Sequence, residues 1–370
     1  MRMLALTLCV LFALTQTNYA QEKLDPKKAV AEKDLLWYDV INLHLEGKAF
    51  ADTKAHYDRL PERAEKLVRP AVWSLSRHSA GLCVRFTTDA TAIQARWKLT
   101  SPKVAMPHMA ATGVSGLDLY VKTDKGWRWL GVGQPTQLEN TATLAAGIPV
   151  GTREYMIYLP LYNGVTSVEI GIAKDKSLAT GAPYPADRKP IVFYGTSITQ
   201  GGCASRTGMV HTAILGRRLG YPVVNLGFSG NGRMEEEVVK LIAEIDASVY
   251  VIDCLPNMAA KEVATNTEPL VKLLRSKRPT TPILLVEDRN YDNAHLLPGP
   301  KARNTASQAA LRTAYEGLLK SGVKGLHYLP GANLLGDDNE GTVDASHPTD
   351  LGFLRQADAF EKSLRPILKH

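Results

Sequence analysis

The stretch Ile191-Val192-Phe193-Tyr194-Gly195-Thr196-Ser197-Ile198-Thr199-Gln200-Gly201-Gly202 runs four apolar residues directly into a glycine-flanked serine. A short apolar run bounded by turn residues has the pattern of a strand buried on both faces. Four similar runs follow at Val223-Val224-Asn225-Leu226, Val249-Tyr250-Val251-Ile252-Asp253, Ile283-Leu284-Leu285-Val286-Glu287 and Gly325-Leu326-His327-Tyr328-Leu329. Helical segments are expected near 207–219, 234–245, 261–277, 302–321 and 348–369. This alternation predicts an α/β domain with a parallel five-stranded sheet covered on both faces. Right-handed crossovers make an open, doubly wound sheet the expected topology.

Ligands of such sheets bind beyond the carboxyl ends of the strands. Ser197 follows the first strand, Ser229-Gly230-Asn231-Gly232 the second and Pro256-Asn257 the third. Glu287-Asp288-Arg289 closes the fourth, and Asp344-Ala345-Ser346-His347 comes after the fifth. One rim therefore gathers a hydroxyl, an imidazole and a carboxylate, which can serve as nucleophile, base and orienting acid. A phosphate-binding P-loop is excluded, because Gly201-Gly202-Cys203 lacks its lysine. The nucleophile elbow of α/β-hydrolases is excluded too, since Thr199 stands where its second glycine belongs.

Four blocks in order resemble the SGNH (GDSL-type) hydrolase family over most of residues 189–360: Gly195-Thr196-Ser197, Asn225-Leu226-Gly227-Phe228-Ser229-Gly230, Asp253-Cys254-Leu255-Pro256-Asn257 and Asp344-x-x-His347. Thr196 replaces the usual aspartate, and Leu255-Pro256 the usual glycines. The resemblance implies a flavodoxin-like SGNH domain over 189–370 with Ser197, His347 and Asp344 as catalytic residues. It also implies an oxyanion hole built from the Ser197 and Gly230 backbone N–H groups and the Asn257 amide. Gly230 is expected to be glycine so that the backbone can approach the substrate. Pro348 is expected at the first position of the last helix, fixing His347 before it.

Upstream, period-two alternation predicts strands at Val72–Ser76, Leu82–Phe86, Ile93–Leu99, Leu117–Val121, Trp127–Leu130, Tyr155–Leu159 and Val168–Ile172. This reads as an all-β sandwich or jelly roll over 30–180, with a linker rich in proline and glycine from Lys174 to Pro190. Gly116-Leu117-Asp118-Leu119-Tyr120 resembles the Gly-x-Asp-Leu-Tyr signature of an N-terminal domain found on a subset of such esterases. Asp118 is read as structural, and Trp127 and Trp129 as core residues. His108 is placed on a loop that would overhang the rim; His108, Arg206 and Arg289 are candidate substrate contacts.

Arg2 followed by the apolar run Met3–Leu14 and Ala20 reads as a signal peptide over 1–20, implying a secreted or periplasmic protein with no membrane span after its removal. The remaining Cys83, Cys203 and Cys254 leave two alternatives: a Cys203–Cys254 disulfide with one thiol left over, or three buried thiols. No zinc-finger spacing occurs, and neither a metal nor a cofactor is expected. The net charge of +7 is spread without a basic run, so no nucleic-acid partner is expected. The expected function is hydrolysis of O-acyl, foremost O-acetyl, esters on carbohydrates or another small ester. A lipid-type esterase and an inactive carbohydrate-binding protein are the alternatives.

Overall fold

The computed structural model describes residues 21–332 and 334–368, so the expected leader at 1–20 lies outside the described residues. Strands β1 (Ile191–Gly195), β2 (Val223–Gly227), β3 (Val249–Asp253), β4 (Ile283–Val286) and β5 (Leu326–Leu329) form one parallel sheet in the order β2-β1-β3-β4-β5. Gly195 lies opposite Gly227 on one side and Asp253 on the other, so the first three strands end level and deliver their loops to one rim.

The helices are α1 (Ser197–Gln200), α2 (His211–Leu219), α3 (Glu236–Ile242), α4 (Ala260–Lys277), α5 (Pro298–Lys320) and α6 (Asp350–Ile367). Alternate strand residues feed two cores, as the period of two demands. Val192, Tyr194, Leu226, Ile252 and Leu285 pack with α3, α4 and α5; Ile191, Phe193, Val251 and Leu284 pack with α2 and α6. Pro348 is not the first residue of α6. Thr349 caps that helix, its Oγ1 accepting from Gly352 N at 3.4 Å, and Pro348 instead bridges to Thr342 in the loop before it.

The N-terminal region is an antiparallel sandwich. One sheet joins Val30–Glu32, Leu35–Asp39, Val165–Ala173, Ala92–Leu99 and Glu139–Ala146. The other joins Leu178–Thr180, Cys83–Thr88, Arg153–Tyr158, Leu117–Thr123 and Gly126–Gly133, with Leu45–Glu46 added on Cys83–Thr88. This second sheet is covered on both faces. Val84, Phe86, Leu117, Leu119, Tyr155 and Ile157 face the sandwich core, while Cys83, Tyr120, Met156 and Tyr158 pack against the α2 and α6 layer of the parallel domain.

Two further sequence expectations are corrected. Val72–Ser76 is not a strand but part of a helix, Pro70–Ser76: Pro70 occupies its first turn, and the buried Val72 and Ser76 are four residues apart, a helical spacing. Trp129 is not a core residue; it is 48% exposed and donates from Nε1 to Asp118 Oδ1 at 2.7 Å. The segment around that helix also crosses over, with Phe50, Leu60, Ala64, Val68 and Val72 packing into the α3 and α4 side of the parallel domain. Among the described residues no helix is long and apolar enough to cross a membrane.

Candidate active site

Ser197 opens the single-turn α1. Thr196 Oγ1 accepts from Ile198 N at 3.3 Å, and Gly201, at φ +117°, ends the turn. Asn225 on β2 holds this turn from below: its Nδ2 donates to Thr199 O at 2.6 Å while its Oδ1 accepts from Gly227 N at 2.9 Å. Thr199 Oγ1 in turn donates to Asp253 Oδ2 at 3.0 Å. Burial raises that carboxyl to about 7, against the hydrogen bond from Thr199 and the charge of Arg289.

Ser197 Oγ lies 2.9 Å from His347 Nε2, and His347 Nδ1 lies 2.8 Å from Asp344 Oδ2. A carboxylate only accepts, so the neutral ring carries its proton on Nδ1 and turns the Nε2 lone pair to the serine hydroxyl. Asp344 Oδ1 also accepts from Ser346 N at 3.1 Å and His347 N at 2.7 Å, a tight loop that holds Ala345 at φ +68°. Burial pushes the Asp344 carboxyl up, but the hydrogen bonds from the His347 backbone and ring outweigh it and leave the group below its ordinary value. Asp344 is therefore ionised at neutral pH. Beneath the imidazole lies Gly202, where a Cβ would meet Tyr162 Oη at 2.9 Å and His347 Cδ2 at 3.3 Å.

The expected donors of an oxyanion hole sit on the same rim. Ser197 N belongs to the first turn of a helix, where N–H groups have no intrahelical acceptor. Gly230 adopts φ +69°, with open space where a Cβ would stand. The left-handed backbone there by itself favours glycine. Asn257 fits its surroundings with Oδ1 accepting from Asn231 N at 2.9 Å and Gly232 N at 3.2 Å. That amide orientation is assigned from hydrogen bonding, and it leaves Nδ2 as a donor.

The arginines expected to touch substrate are committed within the protein. Arg206 pairs with Asp118 at 2.7 Å and donates to Tyr120 Oη at 2.6 Å. Arg289 is buried, pairs with Asp288, and donates from Nε to Ser346 O at 3.1 Å and from Nη2 to Ser346 Oγ. It braces the loop that carries Asp344 and His347. His108 does reach the rim, its ring centroid 5.9 Å from that of His347. It sits at the tip of a turn closed by paired Met106 and Met109 backbone hydrogen bonds of 3.1 Å.

Three neighbours of Ser197 and His347 were given no place at the site from the sequence. Tyr162 Oη donates to Ser197 O at 3.0 Å; Gln200 Oε1 accepts from Ser229 N at 3.0 Å; and Cys203 is a buried thiol beside His347. Tyr162 lies in the sandwich sequence, outside the four blocks, whereas Gln200 and Cys203 lie three and six residues after Ser197, and that position was their only signal. Cys83, Cys203 and Cys254 are all free and buried, so the unbonded alternative holds. Burial and the Asp344 charge push the Cys203 thiol up to about 12.

Residues 188–365 match the GDSL-like lipase/acylhydrolase family, and residues 35–178 match the GxDLY family, described as the N-terminus of SGNH-hydrolase-type esterases. No curated protein matches the sequence. Among solved structures, a chain from Bacteroides ovatus named as a GDSL-like lipase is 35% identical with a TM-score of 0.86, covering 90% of this chain and 98% of its own. The salicylyl-acyltransferase SsfX3 of a tetracycline biosynthetic pathway aligns over 94% of this chain and 98% of its own, with TM-score 0.70 and 17% identity. An acetyl xylan esterase from Butyrivibrio proteoclasticus aligns over 90% and 98%, with TM-score 0.52 and 10% identity, a likeness of fold. The chain belongs to the GDSL-like (SGNH) lipase/acylhydrolase family, in the group that carries a GxDLY N-terminal domain, and is an ester-hydrolysing enzyme.

Proposed function

We propose that the protein is an exported serine esterase that removes O-acyl groups, foremost O-acetyl, from carbohydrates. Ser197 attacks the ester carbonyl while His347 Nε2 takes its proton, and Asp344 steadies the imidazolium that forms. The Ser197 and Gly230 N–H groups and the Asn257 amide receive the oxyanion. His347 then returns the proton to the leaving alcohol, and water repeats the cycle on the acyl-enzyme. The observation that carries this reading is the continuous hydrogen-bonded chain, 2.9 Å from Ser197 to His347 and 2.8 Å on to Asp344.

The carbohydrate part rests on a different support: the leader-like N-terminus, the accessory sandwich, and fold neighbours that include family two carbohydrate esterases, one solved with cellohexaose. The same reasons favour a secreted or periplasmic location. Acetate release from acetylated xylan, mannan, pectin and sialic acid tests it directly. Release from at least one glycan is expected; hydrolysis of long-chain lipid esters with none of the glycans would replace this substrate with a lipid.

A further inference from the structure

We infer that His108, Cys203 and His347 form a binding site for a borderline-soft metal ion of the Zn²⁺ type, and that its occupancy switches the esterase off. One ligand atom from each residue lies within 4.8 Å of the other two. Tetrahedral zinc with a sulfur ligand at about 2.3 Å and nitrogens at about 2.0 Å needs such atoms roughly 3.5 Å apart. The difference is a side-chain adjustment, and His108, exposed at its turn tip, is free to make it. A thiolate with two imidazoles selects Zn²⁺, Co²⁺ or copper over Mg²⁺ and Ca²⁺, which want oxygen. Binding exchanges the Cys203 thiol proton for the ion, so one proton leaves, and a water completes the tetrahedron.

Each ligand is presented by a different part of the fold. His108 comes from the sandwich, anchored through the buried Met109; Cys203 follows Gly201 and Gly202 after α1; His347 comes from the loop before α6. Cys203 is held at φ +77°, where a side chain is disfavoured, and its Sγ lies within 4.8 Å of a ring nitrogen of each histidine. Asp344 already accepts from His347 Nδ1, the carboxylate–histidine arrangement that orients a ring toward a metal. The Nε2 lone pair left to the ion is the one that faces the Ser197 hydroxyl. An imidazole bound through that lone pair cannot take a proton, so the metal and the reaction exclude one another.

The inhibitory half rests on His347 serving as the base, as proposed above; the binding half does not. Titration of the intact protein with Co²⁺ as an optical probe tests binding, and Zn²⁺ inhibition of aryl acetate hydrolysis tests the consequence. A thiolate-to-cobalt charge-transfer band is expected in the wild type and in Ser197→Ala, absent in Cys203→Ser, with affinity at least about tenfold weaker in His108→Ala. Zinc inhibition should be reversed by a chelator and relieved in both ligand variants, each compared with its own zinc-free rate. Lack of a thiolate band in the wild type, or zinc inhibition in Cys203→Ser and His108→Ala equal to that of the wild type, overturns the inference. His108→Ala changes an exposed turn tip, so it remains decisive if Cys203→Ser fails to fold. Cobalt binding without any esterase activity would leave the metal site standing and refute the base.

Discussion

At the scale of single residues, two histidines outside the proposed triad, His211 buried and His78 half-buried, weaken the fold in acid. His211 is stacked by Phe353 and Phe360 at centroid distances of 5.7 and 5.2 Å, and burial lowers its pKa to about 3. Burial, assisted by the Arg59 charge, lowers His78 to about 4. Both rings are neutral when folded and gain protons near pH 6.5 when unfolded. The unfolded state therefore binds more protons below that pH, and stability falls as pH drops from about 6.5 toward 4, by up to about 1.4 kcal/mol per pH unit for each ring. Denaturant melts across this range should show the slope, and His211→Phe should flatten it; an unchanged slope refutes the assignment. On the catalytic side, Asn257→Ala removes one side-chain donor and should lower kcat by about 10² to 10³ with little change in KM.

At the scale of elements, the strand-end blocks were legible because β1, β2 and β3 are continuous apolar runs that stop level, so every residue just past them had to share a rim. The braces of that rim were not legible, because they are charged side chains reaching backbone far away in sequence. Arg59 is the clearest: it is fully buried and donates to His78 O at 2.9 Å, Leu75 O at 2.7 Å, Asn225 O at 3.0 Å and Gly227 O at 2.9 Å. Arg59→Met leaves these carbonyls unpaired and should cost about 3 kcal/mol or more, read as a shifted denaturant midpoint. A shift within experimental error would show that the contacts contribute nothing net. The helix Pro70–Ser76 was misread for a related reason. Val-Trp-Ser-Leu-Ser alternates like a strand, and only its tertiary burial at Val72 and Ser76 reveals the helical period. Strands of two or three residues such as Leu45–Glu46 and Leu178–Thr180 are too short to carry any period.

At the scale of the whole molecule, the sandwich and the parallel domain share a polar lock where the GxDLY aspartate sits. Asp118 is fully buried; its Oδ2 accepts from Arg206 at 2.7 Å and Gly208 N at 2.9 Å, and its Oδ1 from Trp129 at 2.7 Å. Desolvation raises this carboxyl, and the Arg206 charge opposes it. The motif itself was legible, but two of its three partners, Arg206 and Gly208, lie about 90 residues on in the other domain. Asp118→Ala strands the Arg206 cation and should destabilise the protein by about 3 to 5 kcal/mol, with faster hydrogen exchange in the 202–209 loop. Exchange there unchanged from wild type would mean that the lock is dispensable. The sandwich thereby steadies the loop beside Ser197 and His347 that the proposed chemistry requires. That chemistry is tested most directly by the rate of aryl acetate hydrolysis in the wild type and in Ser197→Ala. Turnover by the wild type that falls on the order of 10⁶-fold in the variant is the predicted result; an unchanged rate in Ser197→Ala, or none in the wild type, would contradict serine-based acyl transfer.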